Sequence, residues 1–83
     1  MDKVLINLFV PSMDAHYDIM IPKFLPIKTV CELLSKSLEE VSVHNFVPNG
    51  DEIICSVDRN IVLDANLTFN DYNILNGEHL IIC

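Results

Sequence analysis

The stretch Pro26-Ile-Lys-Thr-Val-Cys-Glu-Leu-Leu-Ser-Lys-Ser-Leu-Glu-Glu-Val41 is the one segment with a sustained helical period, and the rest reads as strand and turn. Ile27, Val30, Leu34, Leu38 and Val41 recur at steps of three and four, which places them in one stripe of a backbone turning every 3.6 residues. Pro26 suits the first helical position, where a missing N–H removes a donor without a helical partner. Lys28, Glu32, Lys36 and Glu40 alternate in sign on the opposite face, worth a few tenths of a kcal/mol per pair and best read as a solvated surface. A lone helix of this length is marginal in water, so its stripe needs an apolar cover from the strands around it.

Those strands can be read outward from the helix. Before it, Val4, Ile6, Leu8 and Val10 share one face of a run that Pro11 ends, while Leu5, Asn7 and Phe9 share the other. After a Pro-Ser-Met-Asp turn, Tyr17, Ile19 and Ile21 alternate with His16, Asp18 and Met20, so the two runs form an antiparallel hairpin. Beyond the helix comes a loop from Ser42 to Gly50. A third strand then places Ile53, Cys55 and Val57 on the inward face, with Ile54 and Ser56 outward. Ile61-Val62-Leu63 makes a short fourth strand, and Asn66 to Ile74 mixes capping residues with isolated hydrophobes in the manner of a short helical turn. Asn76-Gly77 is a tight turn, and in the last strand Leu80 and Ile82 alternate with His79, Ile81 and Cys83.

Composition bounds what such a chain does. With 83 residues it is expected to be one domain, 1–83, near the small end of what folds without disulfides or a metal. The formal charge is −7, and Lys3, Lys23, Lys28, Lys36 and Arg59 are scattered. Nucleic acid and anionic membrane surfaces both require clustered positive charge, so neither is an expected partner; a basic protein surface is the better match. No apolar run reaches the length of a membrane span and no secretory leader is present, which implies a soluble cytoplasmic protein. Cys31, Cys55 and Cys83 lack metal-ligand or C-x-x-C spacing and read as reduced apolar residues, so no cofactor or metal is expected.

Two strands, a helix, two strands, a helical turn and a last strand make a mixed sheet of about five strands with one helix across a face, the α+β order of the β-grasp fold. Thr68-Phe-Asn-Asp-Tyr-Asn-Ile74, followed by a turn and an apolar strand, looks like the corresponding turn of ubiquitin. Tyr17-Asp-Ile-Met-Ile-Pro-Lys-Phe-Leu-Pro-Ile-Lys-Thr-Val30, with Asn76-Gly77-Glu78 before the last strand, resembles the YukD/EsaB family, ubiquitin-like proteins encoded with type VII secretion systems of Gram-positive bacteria. The resemblance implies a cytoplasmic accessory protein working through protein contacts, with the membrane ATPase or its neighbours, or a second copy of itself, as partner. Conjugation and sulfur carriage need an extended Gly-Gly tail; with residue 83 as the mature end neither is expected, and a tail beyond it reverses that expectation. A regulatory protein encoded with the secretion genes is the further alternative.

No enzyme is expected either. A nucleophile needs a base and an orienting group within reach, and Cys31, Cys55, Cys83, His16, His44 and His79 form no such set. The informative feature is the sheet face away from the helix. Leu5, Phe9, Met20, Ile54, Ile81 and Cys83 are expected there together, where an inert domain would carry Thr, Lys or Glu. A contiguous apolar patch of that kind marks a protein interface.

Overall fold

A computed structural model describes residues 2–42 and 46–83. Residues 43–45, within the expected loop, lie outside the described residues, and with them the candidate base His44. The elements follow the order β1 (Lys3–Val10), β2 (Ala15–Pro22), α1 (Ile27–Ser42), β3 (Ile54–Ser56), β4 (Ile61–Val62), α2 (Phe69–Tyr72) and β5 (Glu78–Ile82), with a 3-10 turn at Pro11–Met13 joining β1 to β2. The sheet runs β2-β1-β5-β3-β4, antiparallel throughout except for the parallel β1–β5 pair at its centre. This is the expected β-grasp arrangement.

One core holds the layers together. Val4, Ile6, Leu8 and Val10 from β1, Leu80 and Ile82 from β5, and Ile21 from β2 are buried with Ile27, Val30, Leu34 and Leu38 of α1. Phe69 of α2 and Ile74 beyond it join the same cluster. The helix stripe stops short of its expected end: Val41, which continues the same period, is 64% exposed.

The start of α1 is fixed by main chain rather than by a capping side chain. Ile27 N–H donates to Leu67 C=O (2.8 Å) and Lys28 N–H to Ala65 C=O (3.0 Å), so the 65–67 loop satisfies donors that the helix leaves unpaired. Pro26, just before the helix, forms a bridge with Thr68. Thr68 in turn caps α2: its hydroxyl accepts from Asp71 N–H (3.0 Å) while the Asp71 carboxylate accepts from Thr68 N–H (2.9 Å).

The face assignment of β3 differs from the expectation. Ile54 pairs with Ile82 and Ser56 with Leu80, so both turn inward with their partners; Ile54 is fully buried. Cys55, paired with Ile81, turns outward. The alternation misled because Ser56, a polar residue, faces in. It is satisfied there, its hydroxyl donating to Glu78 Oε2 at 2.8 Å. Glu78 is itself buried and held by Arg59, through Nε (2.9 Å) and Nη2 (3.0 Å), and by Leu75 N–H (3.1 Å). Arg59 also donates to the carbonyls of Tyr72 and Asn73. A polar node therefore ties the β3–β4 turn to the end of α2 and the start of β5.

Candidate docking face

The register sets out the face away from α1 row by row. His16 of β2 stands beside Phe9 of β1, Phe9 beside Ile81 of β5, Ile81 beside Cys55 of β3, and Cys55 beside Val62 of β4, so one row crosses all five strands. The next row carries Asp18, Asn7 and His79, and Met20 pairs with Leu5 beyond it. Of the residues expected here, Leu5, Phe9, Met20, Ile81 and Cys83 are on this face, and Ile54 is not. Ile53, Cys55, Val57 and Val62 take its place. Cys55 and Val62 follow from the strand pairing, while Ile53 exchanges both backbone hydrogen bonds with Cys83 (2.9 and 3.1 Å) and so occupies the position opposite it.

Adjacency across the strand register, rather than exposure, separates this surface from the scattered exposed hydrophobes such as Phe24, Val47 and Leu75. Leu5 is 39% exposed, Met20 and Val57 52%, and Val62 59%, while Phe9, Ile81 and Cys55 are half-buried between them. Two shallow apolar depressions lie side by side. One of ≈ 270 Å³ is lined by Asn7, Phe9, His16, Val57, His79, Leu80 and Ile81. The other, ≈ 280 Å³, is lined by Cys55, Ser56, Val57, Asn60, Ile61, Val62 and Ile81. They share Val57 and Ile81, which makes the concavity continuous from β2 to β4.

Polar groups fix the walls of the first depression. The His16 ring stacks on Phe9 at 4.6 Å between centroids, and its Nδ1–H donates to Asn7 Oδ1 (3.3 Å). Asn7 Nδ2 donates to Asp18 Oδ1 (3.1 Å). Opposite, His79 N–H donates to Asp58 Oδ2 (2.9 Å), with the ring Nδ1 3.3 Å from the same carboxylate. The backbone N–H of His79, reinforced by its ring, holds the Asp58 carboxyl below the usual carboxylate range. Both histidine rings are thus oriented by neighbours, and the apolar floor lies between them.

The cysteines divide by location. Cys31 is buried on the core side of α1, and burial pushes its thiol up to about 11, helped by the negative charges of Glu52 and Glu32. Cys55 is half-buried and Cys83 exposed, both on the outward face. Among the described residues no three His, Cys, Asp or Glu side chains are grouped to hold a metal ion, and no helix is long and apolar enough to cross a membrane.

No protein-family model matches the sequence, and no curated protein sequence matches it. Solved structures do match, 263 chains in all, so the likeness identifies a common fold and does not by itself select a function. The ubiquitin-like domain of EccD5 from Mycobacterium xenopi superposes with a TM-score of 0.73 at 17% identity, over 100% of this chain and 94% of that one. The ubiquitin-like domain of the Mycobacterium tuberculosis type VII secretion protein ECCD1 gives 0.67 at 16% identity, over 99% and 98%. A chain of the ESX-5 inner membrane complex gives 0.74 at 15% identity, this chain covering 21% of that one. The fold is ubiquitin-like.

Proposed function

We propose that this chain is a non-enzymatic, cytoplasmic accessory protein of a type VII secretion system, of the YukD/EsaB kind, which docks a positively charged protein segment of the secretion apparatus on its outward sheet face. The observation that carries the reading is the continuous apolar row Phe9–Ile81–Cys55–Val62, flanked by exposed Leu5, Met20 and Val57. Left in water such a band costs about 25 cal/mol per Å² of apolar surface, a cost that a partner covering it removes. The chain's charge of −7 favours a basic partner and opposes pairing with a second copy that repeats the same charge. Support for the secretion machinery comes from the Tyr17–Val30 segment and Asn76-Gly77-Glu78, which resemble YukD/EsaB proteins, and from the fold shared with EccD ubiquitin-like domains.

The test compares the wild type with Leu5→Glu and Val62→Glu for binding to the detergent-solubilised membrane components of the cognate secretion system. Each variant should keep the wild-type circular dichroism and lose about tenfold or more in affinity, because a carboxylate is forced into the apolar contact. Wild-type affinity in both variants contradicts the proposal. A wild type that sediments as a dimer and binds none of these components assigns the face to self-association instead.

A further inference from the structure

Two of the three thiols share the outward face, and the register brings them together. Ile53 and Cys83 form a hydrogen-bonded pair and Cys55 stands opposite Ile81, so Cys55 and Cys83 are diagonal neighbours on adjacent antiparallel strands. Diagonal neighbours in such a ladder lie about 7–8 Å apart at Cα, and a disulfide spans up to about 7 Å, so closure needs a shift of roughly 1 Å or less. The right-handed twist of the strands favours this diagonal over the one joining Ile53 to Ile81. The thiols already sense each other: burial first, and then the neighbouring Cys83 sulfur, raise the pKa of Cys55. Cys31 sits apart, on α1 in the core.

We propose that Cys55 and Cys83 are a redox-active dithiol that closes to an intramolecular disulfide when hydrogen peroxide or another two-electron peroxide oxidant reaches the sheet face. Cys83, the exposed partner, is attacked first. Its thiolate sulfur takes up the distal peroxide oxygen as the O–O bond breaks, giving a sulfenic acid and, with one proton, water. The Cys55 sulfur then attacks the Cys83 sulfur and displaces the hydroxyl, which leaves as a second water with the Cys55 proton. Overall two thiols and one peroxide give one disulfide and two waters. The link joins Cys55 of β3, in the apolar row, to Cys83 just past β5, in the neighbouring row opposite Ile53. It depends only on the placement of the two sulfurs and stands whether or not that face docks a partner.

Stepwise hydrogen peroxide titration of the folded protein, followed by maleimide trapping and non-reducing peptide mapping, tests the assignment. The expected product is a monomer carrying a Cys55–Cys83 link with Cys31 still free, returned to three free thiols by dithiothreitol. Cys55→Ser should instead accumulate a dimedone-reactive sulfenic acid at Cys83, and Cys31→Ser should oxidise as the wild type does. Cys83 passing to sulfinic acid, or joining two chains, while Cys55 of the wild type stays maleimide-reactive overturns the proposal.

Discussion

Leu5 and Ile54 are both apolar strand residues, yet they belong to opposite sides of the sheet, and the difference is a matter of parity. Ile54 follows Ile82 inward and is fully buried, whereas Leu5 pairs with Met20 on the open side. Ile54→Glu should therefore abolish two-state unfolding in urea, since a carboxylate without a partner cannot be accommodated in the core. Leu5→Glu should shift the midpoint by an amount corresponding to no more than about 1 kcal/mol. The buried Glu78 makes a second prediction at this scale. Burial works to raise its pKa, but hydrogen bonds from Leu75 N–H, Arg59 and Ser56, with the Arg59 charge, hold it below the ordinary value of 4.5. A carboxyl depressed in the folded state adds stability above about pH 4.5 that is lost as pH falls through the folded pKa. Below pH 4.5 the wild type should lose stability faster than Glu78→Gln; parallel curves refute this reading of the node.

Much of β1, β2 and β5 was legible because their alternation is clean, and Leu5, Phe9, Met20, Ile81 and Cys83 fell on the correct side. In β3 the pattern was deceptive. Ser56 faces in against Glu78 and Cys55 faces out, so a polar pair inside and a greasy row outside reverse what hydrophobicity alone suggests. Only the register with β5, a long-range property, resolves it.

At the scale of elements, α1 shows what periodicity can and cannot determine. Ile27, Val30, Leu34 and Leu38 were placed correctly by their spacing, but Val41, which fits the same period, is exposed, and periodicity alone does not tell the two apart. Leu34→Ala should cost about 2–5 kcal/mol in denaturant unfolding, the range for a leucine truncated in a packed core. The helix start depends on a segment far away in sequence, the 65–67 carbonyls that receive the Ile27 and Lys28 donors. α2 stands beside that segment through its capping box, and Thr68→Ala should cost about 1 kcal/mol of global stability. If Thr68→Ala is silent, the capping box is not what holds this corner of the fold.

For the whole molecule, the charge of −7 and the apolar face together set how the proposed partner would be met and held. Long-range attraction to the proposed basic segment would govern encounter and weaken as the Debye length shortens, to about 8 Å at physiological ionic strength and less above it. In the same proposal the apolar row governs retention and responds far less to moderate added salt than the charges do. Association rates should therefore fall steeply with added salt while dissociation changes little. The fold leaves this surface available because α1 covers the other face of the sheet.

The most direct test of the docking face is photo-cross-linking in cells that carry the secretion system, with benzoylphenylalanine placed at Met20 or Val62 on the outward face, or at Lys36 on the exposed side of α1. Adducts with one component of the secretion apparatus from Met20 and Val62, and none from Lys36, are the predicted result. Adducts from Lys36 alone, or from Met20 and Val62 only to a second copy of the chain, would contradict it.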